Sequence, residues 1–99
     1  MPSTPASRPS IDPGLTGMVK QAVTDLAGRL GVGPDAISVL SAELVTWSDA
    51  SAGCAEKGRL YPQVVTDGSK IVLARGSTRY EYHTGGAIIV PFLCTTPSR

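Results

Sequence analysis

The residue types in this chain that carry the most chemistry are its single histidine and its pair of cysteines. Any acid/base or nucleophilic mechanism that uses an imidazole must use His83. Strand alternation puts His83 on one face with Arg79 and Glu81, the pattern of a polar cross-strand cluster near solvent. No serine stands in a Gly-x-Ser-x-Gly elbow, so a hydrolase triad has no support. A closed zinc site uses four ligands, usually in short paired spacings. Cys54, His83 and Cys94 do not supply that, and neither a metal nor a cofactor is expected. Asp25, Asp35, Asp49 and Asp67 fall in a helix, a turn, a loop and a hairpin, without the alternation of a calcium loop. The glycines are scattered singly through turns rather than gathered into a phosphate cradle. No residue is therefore assigned a catalytic role. An enzyme working through His83 remains only the third reading.

Cys54 and Cys94 admit two readings on their own. In a secreted domain of this size they would pair and tie a long loop to the last strand. A bridge closing about forty residues adds roughly 4 kcal/mol in the chain-entropy model. In a reducing compartment they would be two independent thiols. Trp47, at the mouth of that loop, is either an interface anchor or a core residue that plugs the end of the sheet against the helix and pins the loop base. Tyr61, Tyr80 and Tyr82 are too scattered to form a base-stacking platform.

The elements that must position these residues belong to a small body. The 99 residues carry a formal charge of +1 with no basic run, which excludes the electrostatic footprint of a nucleic-acid binder and gives no reason for an anionic membrane surface. Hydrophobic residues at 41% are enough for a folded core. The longest apolar stretch, Ala87 to Leu93, is interrupted by Pro91 and far too short to span a bilayer, and Met1 to Ser10 offers no apolar signal segment. The chain reads as one soluble α+β domain over 12–95. It is flanked by a disordered Pro/Ser/Thr-rich tail over 1–11 and a short tail over 96–99.

Leu15, Met18, Val19, Ala22, Val23, Leu26, Ala27 and Leu30 recur at helical spacing, with Asp12 as cap, Pro13 at the first position and Gly31 at the end. Ile37 to Trp47 alternates in two phases, which predicts a strand with a bulge near Ser41. Ser48 to Gly58 is small and polar, a loop. Leu60 to Thr66 reads as an edge strand containing Pro62, Asp67-Gly68 as a tight hairpin, Arg75 to Thr78 as a turn and Gly85-Gly86 as the last hairpin. The sum is one N-terminal amphipathic helix packed on a four- or five-stranded antiparallel sheet.

The quoted residues Trp47-Ser-Asp49-Ala-Ser51-Ala-Gly53-Cys54, Tyr61-Pro-Gln63-Val64, Gly68-Ser-Lys70-Ile71-Val72-Leu73, Tyr80-Glu81-Tyr82-His83-Thr84 and Cys94 resemble the pattern of a family of small, uncharacterised bacterial secreted or lipoprotein domains. That pattern runs Trp-Pro-Asp-x-Ser-Leu-Gly-Cys, Tyr-x-Gln-Val, Gly-Tyr-Arg-Ile-Val-Leu, Tyr-Glu-Tyr-His-Thr and a final Cys. Ser48, Ala52 and Ser69-Lys70 depart from it and make the loop softer and less apolar. The resemblance implies a Cys54–Cys94 disulfide and an exported or lipid-anchored protein, and no reaction. The helix-then-sheet order also resembles PepSY and cystatin-type layouts, at the level of fold alone. The resulting expectation is a non-enzymatic extracytoplasmic domain that presents the 48–58 loop to a protein partner, in its most specific form a protease. Its binding residues would be Trp47, Ser48, Asp49, Ser51, Gly53 and Tyr61. The alternative is a structural accessory of the cell envelope with no inhibitory activity. The sequence leaves the oligomeric state open.

Overall fold

The computed structural model describes residues 10–95. A helix, α1 (Thr16–Leu30), packs across one face of a five-stranded sheet in the order β1 (Ser10–Ile11), β2 (Ser38–Trp47), β3 (Thr66–Arg75), β4 (Thr78–Gly85), β5 (Ile88–Cys94). Every neighbouring pair from β2 to β5 is antiparallel, as the alternation predicts. β1 is the exception: it runs parallel to β2, with Ser10 opposite Ser41 and Ile11 opposite Ala42. Its pairing shortens the expected 1–11 tail by two residues. The rest of that tail, 1–9, and the tail 96–99 lie outside the described residues.

The helix begins and ends where its caps dictate. Asp12 accepts from the Gly14 amide at 2.8 Å, Pro13 opens a 3-10 turn over Pro13–Leu15, and α1 continues from it. Gly31 closes the helix at φ 67°, and Val32 N–H returns to Ala27 O at 3.0 Å. Leu15, Ala22, Leu26 and Ala27 meet Ala42, Ile71, Leu73 and Tyr82 of the sheet to form the main core. Removing that apolar surface from water is what holds the helix down, because an isolated helix of this length is marginal. At the helix surface the Tyr82 hydroxyl donates to Asp25 at 2.6 Å, and Asp25 pairs with Arg29 at 2.6 Å.

The bulge in β2 lies between Val39 and Ser41 and swaps the strand's faces. Val39 before it and Ala42 after it both serve the helix-side core, while Trp47 is turned to the opposite face. Two expectations fail just beyond. Leu60 to Val65 forms no strand, and Asp67-Gly68 is no hairpin, because β3 runs through both residues without a break. Gly68 is there for close approach: a Cβ on it would come within 2.0 Å of Thr84 O and 2.7 Å of Trp47 Nε1. The connection after β2 therefore extends to Val65 rather than ending at Gly58.

Candidate functional site

The long connection covers the sheet face opposite α1. Its foundation is Trp47, whose indole crosses Gly68 and Gly85 and donates from Nε1 to Thr84 O at 2.8 Å. His83, two strands over on β4, stacks on the indole with ring centroids 4.7 Å apart and meets the edge of Phe92 at 6.2 Å. The imidazole is only 1% exposed, so the expected position near solvent is corrected: the connection folds over it. Ala52 O can only accept, so His83 Nδ1 carries a hydrogen and donates to it at 2.7 Å. Nε2 faces Glu81 Oε1 at 2.8 Å. Both ring nitrogens are thereby engaged in holding structure.

The first half of the connection is a latch onto this foundation. Asp49 Oδ1 accepts from Ser51 N at 2.9 Å and Ser51 Oγ at 2.5 Å, and those bonds hold the Asp49 carboxyl below the usual carboxylate range. Cys54 N–H donates to Ser51 O at 3.1 Å, closing a turn with Ala52 at φ 55° and Gly53 at φ 71°. A Cβ on Gly53 would sit 2.2 Å from Trp47 Cζ3, so only glycine lets the backbone lie on the indole. The Cys54–Cys94 disulfide then bolts the turn to the end of β5, with the Cα atoms 5.7 Å apart. The disulfide implied by the family resemblance is present.

The second half is an exposed arc. Glu56 pairs with Arg59 at 2.7 Å, the Arg59 guanidinium lies 5.5 Å from the Tyr61 ring centre, and Glu56 N–H donates to the Tyr61 hydroxyl at 3.1 Å. Ala50 N–H reaches Pro62 O at 3.0 Å, tying the outgoing limb of the arc to the latch. From Arg59 to Val65 the chain runs without turn or bend, consistent with Pro62, which fixes its own φ and disfavours helical backbone at the residue before it. Leu60, Val64 and Val65 on this run are 95%, 60% and 71% exposed.

The residues singled out from sequence are brought together in the connection, most of them packed at its base. Trp47, Asp49, Gly53 and Tyr61 are half-buried, Ser51 is buried, and of the six only Ser48 is exposed. Leu60, Val64 and Val65, which their composition places in a strand, are instead exposed on the unpaired run. The signal was Pro62, which cannot donate to a ladder and so argued against pairing there. A further apolar group lies at the open sheet edge, where the β4–β5 register shifts between His83 and Gly85 and leaves Ile89 and Val90 70% and 60% exposed. It borders a groove of about 260 Å³ lined by Leu15, Met18, Leu44 and Ile88.

Among the described residues no group of three or more His, Cys, Asp or Glu side chains converges in a way that could hold a metal ion. No described helix is long and apolar enough to cross a membrane. No curated protein and no solved structure matches the chain. Strands β2 to β5 and the latch residues fall within 19–94, the stretch that matches the family described as "Domain of unknown function (DUF8738)", and the chain belongs to that family.

Proposed function

We propose that this chain is a non-enzymatic, extracytoplasmic protein-binding domain, secreted or lipid-anchored, that meets its partner through the disulfide-tethered connection between β2 and β3. The observation that carries the reading is the pairing of opposites in that connection. A latch fixed by a disulfide, an indole and a buried histidine supports an arc whose Leu60 is 95% exposed. Apolar side chains gathered on a surface segment mark interaction sites in soluble domains. An arc already held in place also avoids part of the ordering cost of association, roughly 0.5–1.5 kcal/mol for each side chain that would otherwise be immobilised on binding. In its most specific form the domain inhibits a protease, since a cleft that binds extended backbone suits an unbent run such as Arg59 to Val65. The disulfide supports an oxidising compartment outside the cytoplasm.

The contact residues move outward from the 48–58 stretch to the arc, with the latch as its support. The test is site-specific photocrosslinking in the native host from position 60, compared with position 75 on the β3–β4 hairpin. A discrete adduct from position 60 alone is expected. Equal or absent adducts at both positions would overturn the reading. The exposed Leu44, Ile88, Ile89 and Val90 favour a second reading, an envelope accessory that packs through its sheet edge. That reading predicts adducts from position 89 instead.

A further inference from the structure

Resting on the inhibitor form of that reading, we infer that Leu60 is the primary specificity side chain of an inhibitory arc, and that its target class is serine endopeptidases with a deep apolar primary pocket. Such an enzyme must engage an extended backbone with one side chain projecting fully away from the body that presents it. Arg59 to Val65 is the unbent run of the connection, and Leu60, at 95% exposure, is its most projecting side chain. Its neighbours are tied within the arc. Arg59 is held by Glu56 and lies against the Tyr61 ring, and the Tyr61 hydroxyl accepts from Glu56 N–H. The arc thus offers an aliphatic group to the pocket while its flanking cation is occupied.

The ties on both sides of the Leu60–Tyr61 peptide bond explain why such an arc would inhibit rather than be digested. In the enzyme, the serine hydroxyl attacks the Leu60 carbonyl carbon. An ester to Leu60 forms, the Leu60–Tyr61 amide breaks, and the hydroxyl proton passes through the enzyme's histidine to the Tyr61 nitrogen. On the Leu60 side the chain is anchored by the Cys54–Cys94 disulfide and the Glu56–Arg59 pair. On the other side the Tyr61 hydroxyl and the Pro62 carbonyl, bonded to Glu56 N–H and Ala50 N–H, keep the new amine beside the ester. An amine held at such an effective concentration re-forms the peptide bond faster than water hydrolyses the ester.

The experiment measures inhibition of chymotrypsin and trypsin by the disulfide-intact chain, by Leu60→Asp, by Leu60→Lys and by the edge control Ile89→Ser, with folding of each checked by thermal unfolding. The expected result is inhibition of chymotrypsin by the wild type and Ile89→Ser. Leu60→Asp should weaken it by about thirtyfold or more, the loss of a hot-spot side chain. Leu60→Lys should transfer inhibition to trypsin. After long incubation, mass analysis should find a single cut between Leu60 and Tyr61. Chymotrypsin inhibition that ignores residue 60, or a first cut elsewhere, would overturn this inference and leave the protein-binding reading intact. Rapid digestion with no inhibition of either enzyme would also overturn it. The broader reading is judged separately, by the crosslinking from position 60.

Discussion

Replacing His83 with Ala is the sharpest test of how the latch is held. The imidazole is 1% exposed, so its removal acts where water does not compensate. Three losses follow. Ala52 O loses the 2.7 Å bond from Nδ1 and stays buried without a donor, which costs about 1–3 kcal/mol. The 4.7 Å stack on Trp47 is lost, about 0.5–1.5 kcal/mol. Glu81 retains 27% side-chain exposure and regains water, so the loss of its contact with Nε2 adds little. The total is about 3 kcal/mol, a large share of the 5–15 kcal/mol typical of a small domain. Equilibrium unfolding in guanidinium, followed by the emission of the single tryptophan, reads both stability and the ring beneath the latch. A midpoint lowered by about 1 M is expected, with red-shifted native-state emission as water reaches Trp47. His83→Gln, which can restore a donor to Ala52 O without the stack, should recover about 1 kcal/mol of the loss. A loss below about 1 kcal/mol for His83→Ala with unchanged emission would refute the account of the latch.

Removing the bridge with Cys54→Ala and Cys94→Ala should lower stability by about 4 kcal/mol for the 40-residue separation, measured by the same unfolding curve. Intact-mass alkylation of the wild type should label neither thiol until reductant is added. Tyr82→Phe should cost about 1 kcal/mol at pH 7, the net worth of its bond to Asp25. The pH profile of that variant should also flatten at both ends. The Tyr82 hydroxyl and then Arg29 hold the Asp25 carboxyl below its ordinary 3.8, so the native state gains stability above that pH and loses it as pH falls further. Burial and then Asp25 raise the Tyr82 phenol above its ordinary 10.0, so native stability declines once pH climbs past that value, a decline Phe abolishes. Gly68→Ala should cost more than about 2 kcal/mol by driving a Cβ into Thr84 O and Trp47, with loss of the native tryptophan emission as readout.

The parts of the fold legible in the sequence are those governed by local periodicity and caps. The α1 apolar stripe, Asp12, Pro13 and Gly31 all carry their meaning within a few residues, and the phase switch near Ser41 was visible because alternation breaks there. The misread parts depend on partners distant in the chain. Asp67-Gly68 has the composition of a hairpin turn, yet Gly68 answers to an indole twenty-one residues earlier, which no local rule sees. Leu60 to Val65 has strand-like composition but no strand beside it: β3 already has β2 and β4 as neighbours. His83 alternates with Arg79 and Glu81 as a solvent-facing residue would, and is buried because Trp47, Phe92 and Ala52, all distant in the chain, pack around it. Of the candidate site, the cysteines and Trp47 were recognisable by type. Which loop residues face inward was set by the disulfide and by the two left-handed residues beside it.

The division of labour between the two sheet faces makes this chain a natural display frame. The main hydrophobic cluster is assembled from α1 and the strands, and no residue of the arc belongs to it. On the other face, the latch ends at Cys54 and the sheet resumes at Thr66, so residues 55–65 between them are framed by a covalent bolt and a strand. Sequences grafted into that frame inherit its anchorage without disturbing the packing that folds the domain. Variation in the arc can therefore change the surface the domain presents while the remainder of the chain goes on specifying the same shape.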